Sequence, residues 1–202
     1  MGIIRKIEQL THNPFLNFYT LETTKKTGKP GQYYVASRAK TAEDLEISRG
    51  ETRPDGVTMY VLGGEQKDKV LLIRQFRWAV GQYVYEFPAG IIEPGENYIE
   101  GAVREVYEET GLRMTPIEAD PMFTRAYYMT DGMTDECCAM VYGYAEGDMK
   151  DQHLEDSEEI EAFWADREEV RRILKEERVA ANCALHLMHF LHDEEPFGFL
   201  KA

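Results

Sequence analysis

Cysteine and long apolar runs are both scarce in this sequence. Three cysteines, Cys137, Cys138 and Cys183, stand among 202 residues without C-x-x-C spacing, which excludes a disulfide scaffold and argues against a cysteine-based zinc site. No apolar run approaches the roughly 18 residues that a membrane helix needs. The start of the chain also lacks the apolar stretch of a signal peptide. We therefore expect a cytoplasmic protein that has no membrane partner.

Positive charge is also in short supply. Lysine and arginine number 23 against 37 aspartates and glutamates, which gives a formal net charge of -14. Such a charge repels a nucleic-acid backbone unless basic residues are locally concentrated. We therefore expect no nucleic-acid partner. The hydrophobic content of 43% is ordinary for a globular protein with a packed core.

The first 53 residues differ in charge from the remainder of the chain. They carry nine Lys/Arg and six Asp/Glu, a local charge of +3. Two predicted strands, Phe15 to Thr23 and Gln32 to Arg38, flank the turn Gly28-Lys29-Pro30-Gly31, which is typical of a hairpin. Because two or three strands are marginal alone, this antiparallel segment must pack on the rest of the chain or on a second copy. We expect residues 1–53 to form this β-segment and residues 54–202 to form the main domain.

Strands and helices are mixed in the main domain. The predicted strands cover residues 57–62, 70–77, 83–87, 117–124, 137–145 and 160–164, and the predicted helices cover residues 97–111, 167–177 and 180–192. Asn97 with Glu100 suits a capping box, and Gly111 suits a helix end. Since strands and helices do not alternate regularly, the pattern favours an α+β fold or a mixed-sheet sandwich over a doubly wound sheet.

Three glutamates share one face of the helix predicted for residues 97–111. Glu105, Glu108 and Glu109 are related as i, i+3 and i+4. A helical projection places the adjacent buried stripe on Ala102, Val106, Thr110, Ile99 and Val103. Neighbouring like charges favour a bound cation. Oxygen ligands alone favour Mg²⁺ or Mn²⁺, which usually keep room for substrate phosphates. The alternative is a solvated acidic face on which Arg104 pairs locally.

The spacing around this helix carries a resemblance to a known family. Gly90, Glu96, Arg104-Glu105-Val106, Glu108-Glu109 and Gly111-Leu112 reproduce the pattern G-x5-E-x7-R-E-U-x-E-E-x-G-U, where U is aliphatic. This pattern is the Nudix box, and the chain resembles Nudix hydrolases. The resemblance implies a mixed β-sheet between helices, and a divalent metal bound at the diphosphate of a nucleoside diphosphate derivative.

Segments outside the box resemble the ADP-ribose pyrophosphatase branch of that family. They are Arg74 to Arg77, Tyr85 to Gly90, and Tyr33 to Arg38 in the N-terminal segment. In that branch the N-terminal segment exchanges with a second subunit and completes the substrate site. The resemblance therefore implies a homodimer formed through residues 1–53.

The resemblance also implies roles for individual residues. The implied metal ligands are the Ala89 carbonyl, Glu105, Glu109 and, beside them, Glu108. Arg104, with Glu96, would orient these glutamates. The implied substrate-binding residues are Arg38, Arg77, Tyr34 and Glu86. Arg38 and Arg77 would contact phosphate or the terminal ribose, since a guanidinium can bind phosphate oxygens through two hydrogen bonds. The alternative for each arginine is a surface ion pair, and for Tyr34 a core or interface position. In the segment from Thr130 to Glu136, Glu136 is the candidate general base or outer metal partner, and Asp135 is its competitor.

These observations predict a pyrophosphohydrolase dependent on Mg²⁺ or Mn²⁺ that converts ADP-ribose to AMP and ribose 5-phosphate. Two alternatives stay open. One is hydrolysis of a UDP- or GDP-sugar, and the other is a non-catalytic module that senses nucleotide sugars. The spacing of His186, His189 and His192 could present metal ligands, but no carboxylate or cysteine cluster accompanies them, and helix packing explains them more simply.

Overall fold

The computed structural model of the chain describes residues 2–149, 154 and 159–201. Within these ranges the strands are β1 (Ile3–Gln9), β2 (Asn17–Thr24), β3 (Pro30–Ser37), β4 (Gly56–Gly63), β5 (Lys69–Arg77), β6 (Gln82–Glu86), β7 (Ala89–Ile91), β8 (Arg113–Pro116), β9 (Tyr127–Tyr128), β10 (Cys137–Glu146) and β11 (Ile160–Ala165). The α-helices are α1 (Glu46–Arg49), α2 (Tyr98–Thr110), α3 (Pro121–Thr124), α4 (Arg167–Glu176) and α5 (Ala181–His192). Short 3₁₀ helices cover Ala42–Asp44 and Gly198–Lys201.

The chain divides into two compact units. The first unit contains residues 1–55 and 126–138, and the second contains residues 56–125 and 139–202. The first unit therefore joins the N-terminal β-segment with a later piece of the chain that includes the segment from Thr130 to Glu136.

The first unit is built on an antiparallel sheet in the order β1-β2-β3. β2 and β3 pair from Asn17↔Ser37 to Thr24↔Pro30, which confirms the predicted hairpin. Gly28 has a φ of 81° in its turn, a left-handed conformation that glycine adopts without a steric penalty. β1, with the sequence IIRKIEQ, was not predicted because its apolar and polar residues do not alternate regularly and the strand is largely exposed.

The segment from Thr130 to Glu136 is attached to this sheet within the first unit. The Thr130 carbonyl accepts hydrogen bonds from the backbone N–H groups of Met133 at 2.9 Å and Thr134 at 3.0 Å. The Met133 carbonyl in turn accepts from Ala36 N of β3 at 3.0 Å. The segment is thus a tight turn joined to β3.

The second unit is built on a sheet in the order β11-β5-β4-β10-β8, with β6 paired to β5 and β7 paired to β4. Successive side chains of a strand point to opposite faces. On β4, Val57, Met59 and Val61 are buried with Ala102 and Val106 of α2. One face of this sheet is therefore covered by α2.

The other face of the same sheet is covered by α4 and α5. Tyr60 of β4 and Leu72 of β5 are buried with Ile173 of α4, and with Leu187 and Phe190 of α5. The sheet of the second unit consequently lies between helices, as the sequence analysis predicted. Among the described residues, no helix has the length and apolar character needed to cross a membrane.

Two sequence predictions in the second unit were wrong. The strand predicted for residues 117–124 is instead β8 at Arg113–Pro116 followed by α3. A helical turn forms there because Pro121 suits a first helical position and the Asp120 carboxylate accepts a hydrogen bond from Met122 N at 2.8 Å. On α2, Ala102, Val106 and Thr110 of the predicted stripe are buried, but Ile99 and Val103 are 44% and 36% exposed.

His186 occupies a different environment from the other two histidines of α5. It lies in an aromatic cluster, with ring centroids 5.6 Å from Tyr60 and 5.8 Å from Phe87. Its Nδ1 lies 2.9 Å from the Asn182 carbonyl oxygen. Burial lowers the pKa of His186, although the hydrogen bond to Asn182 opposes the shift. The folded protein therefore favours the neutral form of this side chain.

A depressed pKa at His186 makes stability depend on pH. The stabilisation from the neutral form is complete above the unfolded-state pKa of about 6.5 and is lost as the pH falls toward the folded-state value. We expect the free energy of unfolding of the native protein to decrease relative to that of His186→Phe as the pH falls from 7.5 to 5. The relative change should reach at most about 1.4 kcal/mol per pH unit.

The measurement is urea unfolding of both proteins across this pH range. His12→Gln is the control because His12 is an exposed histidine outside the aromatic cluster. A constant difference between the native protein and His186→Phe at every pH would contradict the assignment.

Candidate functional site

The helix α2 begins and ends at defined caps. The Asn97 side chain accepts hydrogen bonds from the backbone N–H groups of Ile99 and Glu100, both at 3.0 Å, and the Glu100 carboxylate accepts from Asn97 N at 3.1 Å. Gly111 ends the helix with a φ of 75°. The predicted capping box and terminal glycine are thus confirmed. Because both ends are fixed, the side chains between them project from defined positions.

Arg104 forms hydrogen bonds with acidic side chains on α2 and in the loop before it. Its Nε and Nη2 atoms donate to the two carboxylate oxygens of Glu96, each at 3.0 Å. Its Nη1 atom donates to Glu105 and to Glu108, each at 2.9 Å. Nη2 also donates to the Ile91 carbonyl oxygen at 3.0 Å. One guanidinium therefore ties the loop before the helix to two carboxylates on the helix.

The charges in this network do not balance. The hydrogen bonds from Arg104 lower the pKa of Glu96, and the pKa of Arg104 is raised chiefly by Glu96. The carboxylates of Glu96, Glu105 and Glu108 all pair with the single guanidinium of Arg104. An arrangement with excess negative charge and hard oxygen donors attracts a divalent cation.

Glu109 lies at the buried edge of the same helix. It is only 3% exposed, and its Oε2 accepts a hydrogen bond from Ala89 N at 3.2 Å. This contact holds a carboxylate of α2 against β7, where the predicted backbone ligand Ala89 lies. Glu109 and Ala89 are therefore neighbours in the second unit.

Two glycines make room for these carboxylates. A Cβ atom at Gly90 would overlap the carboxyl group of Glu105. A Cβ atom at Gly101 would lie 3.1 Å from Glu96 Oε2, which is tighter than most contacts of a real side chain. The glycine within the acidic face of α2 thus permits the close approach of Glu96.

The donor set fits a hard divalent cation. Glu105, Glu108 and Glu109 offer carboxylate oxygens on one side of α2, and the absence of a side chain at Gly90 lets the Glu105 carboxyl group lie against the backbone of β7, next to Ala89. Within the part of the chain that the structure describes, no three His, Cys, Asp or Glu side chains converge as a metal cluster. Mg²⁺ usually binds proteins through one or two carboxylates and takes its other ligands from water and substrate phosphates, so this donor set is sufficient.

Two other predicted residues of the second unit contact each other. Arg77 of β5 forms two parallel hydrogen bonds with Glu86 of β6, Nε to Oε1 at 2.7 Å and Nη2 to Oε2 at 2.6 Å. The Arg77 side chain is 42% exposed and the Glu86 side chain 12%. The carboxylate therefore holds the guanidinium in one plane while part of it stays accessible to solvent.

The remaining predicted residues belong to the first unit. Arg38 Nη2 lies 3.0 Å from Glu136 Oε1, so the candidate phosphate-binding arginine and the candidate general base form an ion pair. Asp135 instead accepts a hydrogen bond from Glu46 N at 3.2 Å. Tyr34 is 56% exposed on β3. Its neighbour Tyr33 donates a hydrogen bond to the Gly132 carbonyl at 2.5 Å, a contact that sequence reasoning missed because no pattern marks a backbone acceptor.

The close packing of Glu105 against Gly90 can be tested by adding one methyl group. In Gly90→Ala the Glu105 carboxylate has to move away and give up its hydrogen bond to Arg104, so we expect the free energy of unfolding to decrease by about 1 kcal/mol. Gly198→Ala is the control because its Cβ would meet only Glu195 at 3.5 Å, an ordinary contact. Thermal and urea unfolding give the comparison, and equal stability of the two variants would contradict the close packing at Gly90.

Comparison with known proteins agrees with this geometry. The model of the NUDIX domain family matches residues 52–186. An ADP-sugar pyrophosphatase of Mus musculus is 48% identical over 52 residues, which cover 26% of this chain and 24% of the mouse protein. An ADP-ribose pyrophosphatase of Bacillus subtilis (strain 168) is 30% identical over 102 residues, which cover 46% of this chain and 51% of that protein. The matched regions thus span about half the length of these curated relatives or less.

A solved structure supports the fold over nearly the whole chain. The crystal structure of an ADP compounds hydrolase superposes with a TM-score of 0.64 at 18% identity, covering 93% of this chain and 92% of the other. At that identity the likeness concerns the fold alone. It confirms the predicted fold class, a sheet between helices preceded by an antiparallel N-terminal sheet. Since the family model matches more than half of the sequence, the chain belongs to the NUDIX domain family.

Proposed function

We propose that this protein hydrolyses the diphosphate linkage of nucleoside diphosphate sugars, with ADP-ribose as its main substrate. Water adds to one phosphorus and the other phosphate leaves, so that ADP-ribose gives AMP and ribose 5-phosphate. The observation that carries the proposal is the Arg104 network, in which one guanidinium bonds Glu96, Glu105 and Glu108. The names of the mouse and Bacillus relatives support an ADP-sugar as the substrate.

The proposed metal ligands are on and beside α2. Glu105 and Glu109 would be the main carboxylate ligands, with Glu108 beside them and the Ala89 carbonyl as a backbone ligand. The ion would be Mg²⁺ or Mn²⁺. When bound, such an ion neutralises the diphosphate oxygens and makes the phosphorus easier to attack.

Arg104 and the buried position of Glu109 prepare these ligands. The hydrogen bonds from Arg104 restrict the carboxylates of Glu105 and Glu108, so less conformational freedom is lost when they bind a ligand. Glu109 is held by the Ala89 backbone N–H. In this proposal Arg104 is a positioning residue, because its donors are occupied by protein oxygens.

Substrate binding is assigned to two arginine side chains and one tyrosine ring. Arg77, aligned by Glu86, is proposed to bind phosphate oxygens or the terminal ribose, and Arg38 is proposed to do the same. Both arginines are partly exposed. Tyr34 offers an exposed ring on which a base could stack.

Glu136 is proposed as the general base that accepts a proton from the attacking water. A base must be able to change partners during the reaction. Within the described residues, the Glu136 side chain is held by a partly exposed ion pair with Arg38. Asp135 is the weaker candidate because its carboxylate accepts the Glu46 backbone N–H. The pairing also gives the Glu136 carboxylate a defined orientation before the substrate binds.

The assembly and the cellular location are also proposals. Residues 1–53 are proposed to form a β-segment through which two copies of the chain associate as a homodimer, with residues 54–202 as the hydrolase domain. The exposed apolar side chains Phe15, Leu16 and Phe18 on and before β2 support an interface there. The three cysteines are free thiols, which supports a reducing compartment such as the cytoplasm.

The experiment that tests the function measures product release from a panel of substrates. ADP-ribose, UDP-glucose, GDP-mannose and a dinucleotide are each incubated with Mg²⁺, with Mn²⁺ and with a chelator. The proposal expects metal-dependent cleavage, fastest for ADP-ribose, with AMP and ribose 5-phosphate as products. Faster cleavage of a UDP- or GDP-sugar would replace ADP-ribose as the substrate, and binding without turnover would instead support the sensing module.

A single substitution on α2 tests the catalytic assignment. Glu109→Gln keeps the size of the side chain and an oxygen that can accept from Ala89 N, but it removes the negative charge. We expect kcat for ADP-ribose to fall by about a hundredfold at saturating metal, since a charged ligand is lost. Glu118→Gln, on an exposed position outside the network, is the control for the loss of one carboxylate. An unchanged kcat in Glu109→Gln at saturating metal would refute this role.

A further inference from the structure

We propose that Asp55 is a positioning residue for the hydrolysis, because it fixes the segment of backbone from which the Glu136 side chain projects. Asp55 and Glu136 both belong to the first unit, which contains residues 1–55 and 126–138. The inference rests on the proposed role of Glu136 as the general base. Asp55 acts through the position of Glu136 and takes no part in the chemistry itself.

Asp55 and Cys137 exchange two hydrogen bonds. The Asp55 backbone N–H donates to the Cys137 carbonyl oxygen at 2.8 Å, and Asp55 Oδ2 accepts from Cys137 N at 3.0 Å. Opposite residues of an antiparallel ladder exchange both bonds through their backbones, so here a carboxylate takes the place of one carbonyl. Cys137 directly follows Glu136 and begins β10. Both backbone polar groups of the residue next to the proposed base are therefore bonded to Asp55.

The side chain of Cys137 adds a further contact to the same segment. Its thiol donates to the Arg53 carbonyl oxygen at 3.1 Å. Burial, and after it the charge of Asp55, raises the pKa of this thiol to about 11, so the thiol stays protonated and remains a donor at neutral pH. Cys137 is fully buried. The start of β10 is thus attached to residues 53–55 through its backbone and through a side chain.

The backbone of Glu136 is bonded as well, whereas its carboxylate stays accessible. Glu136 N donates to Thr134 Oγ1 at 3.3 Å, and the Glu136 carbonyl oxygen accepts from Met129 N at 3.0 Å. The Glu136 side chain is 35% exposed and pairs with Arg38 at 3.0 Å. A general base works only within hydrogen-bond reach of the proton that it accepts, and a shift of about 1 Å can lower a rate about a hundredfold. A fixed backbone that carries an accessible carboxylate meets this requirement.

The charge of Asp55 and its hydrogen bond have opposite effects on stability. Burial raises the pKa of Asp55, the charges of Asp135 and Glu136 raise it further, and the hydrogen bond from Cys137 N lowers it. The raised pKa means that the folded protein disfavours the charged form of this side chain. An asparagine offers an acceptor of the same shape without the charge. The hydrogen bond can therefore be kept while the charge is removed.

The first experiment tests the contact without any substrate. Hydrogen exchange of the Cys137 backbone amide is measured by NMR in the native protein, in Asp55→Asn and in Asp55→Ala. We expect exchange to be about tenfold faster in Asp55→Ala, because Cys137 N loses its acceptor, and close to the native rate in Asp55→Asn. Equal exchange rates in the three proteins would overturn the proposal.

The second experiment measures kcat and KM for ADP-ribose at saturating Mg²⁺, per mole of folded protein. We expect kcat to fall about tenfold in Asp55→Ala with little change in KM, and to return to within about twofold of the native value in Asp55→Asn. Asp44→Ala is the matched control, because it also removes a carboxylate that accepts a backbone N–H, at 3.1 Å from Thr41, which is not in β10. A similar fall in kcat in Asp44→Ala would overturn the proposal, as would a native kcat in Asp55→Ala.

Asp55→Glu separates the geometry of the hydrogen bond from the charge, and it needs no loss of the side chain. It keeps the charge but displaces the carboxylate by one methylene group, so we expect its kcat to lie below that of Asp55→Asn. If Asp55→Glu kept the native kcat and Asp55→Asn did not, the charge would be what matters, and the positioning role would be refuted.

A double-mutant cycle with Glu136→Gln shows whether Asp55 acts through the base. If it does, Asp55→Ala causes no further loss of kcat once Glu136→Gln has removed the base. Additive losses in the double variant would overturn this inference and leave Glu136 as the base. An unchanged kcat in Glu136→Gln alone would instead refute the base and, with it, the role of Asp55. Absence of turnover in the native protein would refute the proposed function itself, so the failures are distinguishable.

Discussion

The arrangement of the acidic helix depends on one guanidinium shared by three carboxylates. Arg104 bonds Glu96 through two nitrogens and reaches Glu105 and Glu108 through the third. Without it, carboxylates spaced three and four residues apart on α2 would repel one another. The need to bring these carboxylates to Arg104 explains two glycines. The absence of a side chain at Gly101 leaves space for Glu96, and its absence at Gly90 leaves space for Glu105. The same network joins the loop before α2 to the helix itself.

The sheet of the second unit supplies the rigid support for this network. β4 buries alternate side chains on opposite faces, toward α2 on one and toward α4 and α5 on the other. Because α2 packs against the sheet and is capped at both ends, its acidic edge is held at a fixed distance from β7. The contact between Glu109 and the backbone of Ala89 follows from that packing.

Much of this was predictable from sequence because it depends on local rules. The hairpin β2–β3, the caps of α2 and the shared face of Glu105, Glu108 and Glu109 follow from turn chemistry and helical spacing. Features that depend on the tertiary fold were not predictable from the sequence. The residues after β8 form a helical turn capped by Asp120, although their apolar content suggests a strand. Apolar periodicity also placed Ile99 on the buried stripe, but the sheet covers only part of that stripe.

Pairing between distant side chains was likewise beyond sequence reasoning. In the ladder between β5 and β6, Arg77 lies opposite Gln82 rather than Glu86, so their ion pair depends on how the long arginine side chain runs along the sheet. Arg38 and Glu136 are 98 positions apart in the chain. Each arginine was predicted to contact phosphate or the terminal ribose, and the folded structure identifies the carboxylate that aligns it.

The most direct test of the central role of Arg104 is Mn²⁺ binding measured by electron paramagnetic resonance. Arg104→Lys keeps the positive charge but cannot bridge three carboxylates, so we expect the Kd for Mn²⁺ to rise at least tenfold. Arg172→Lys is the matched control because Arg172 bridges Glu169, Glu176 and Glu177 at α4, and its Kd should match that of the native protein. A folded Arg104→Lys variant that binds Mn²⁺ as tightly as the native protein would contradict the account.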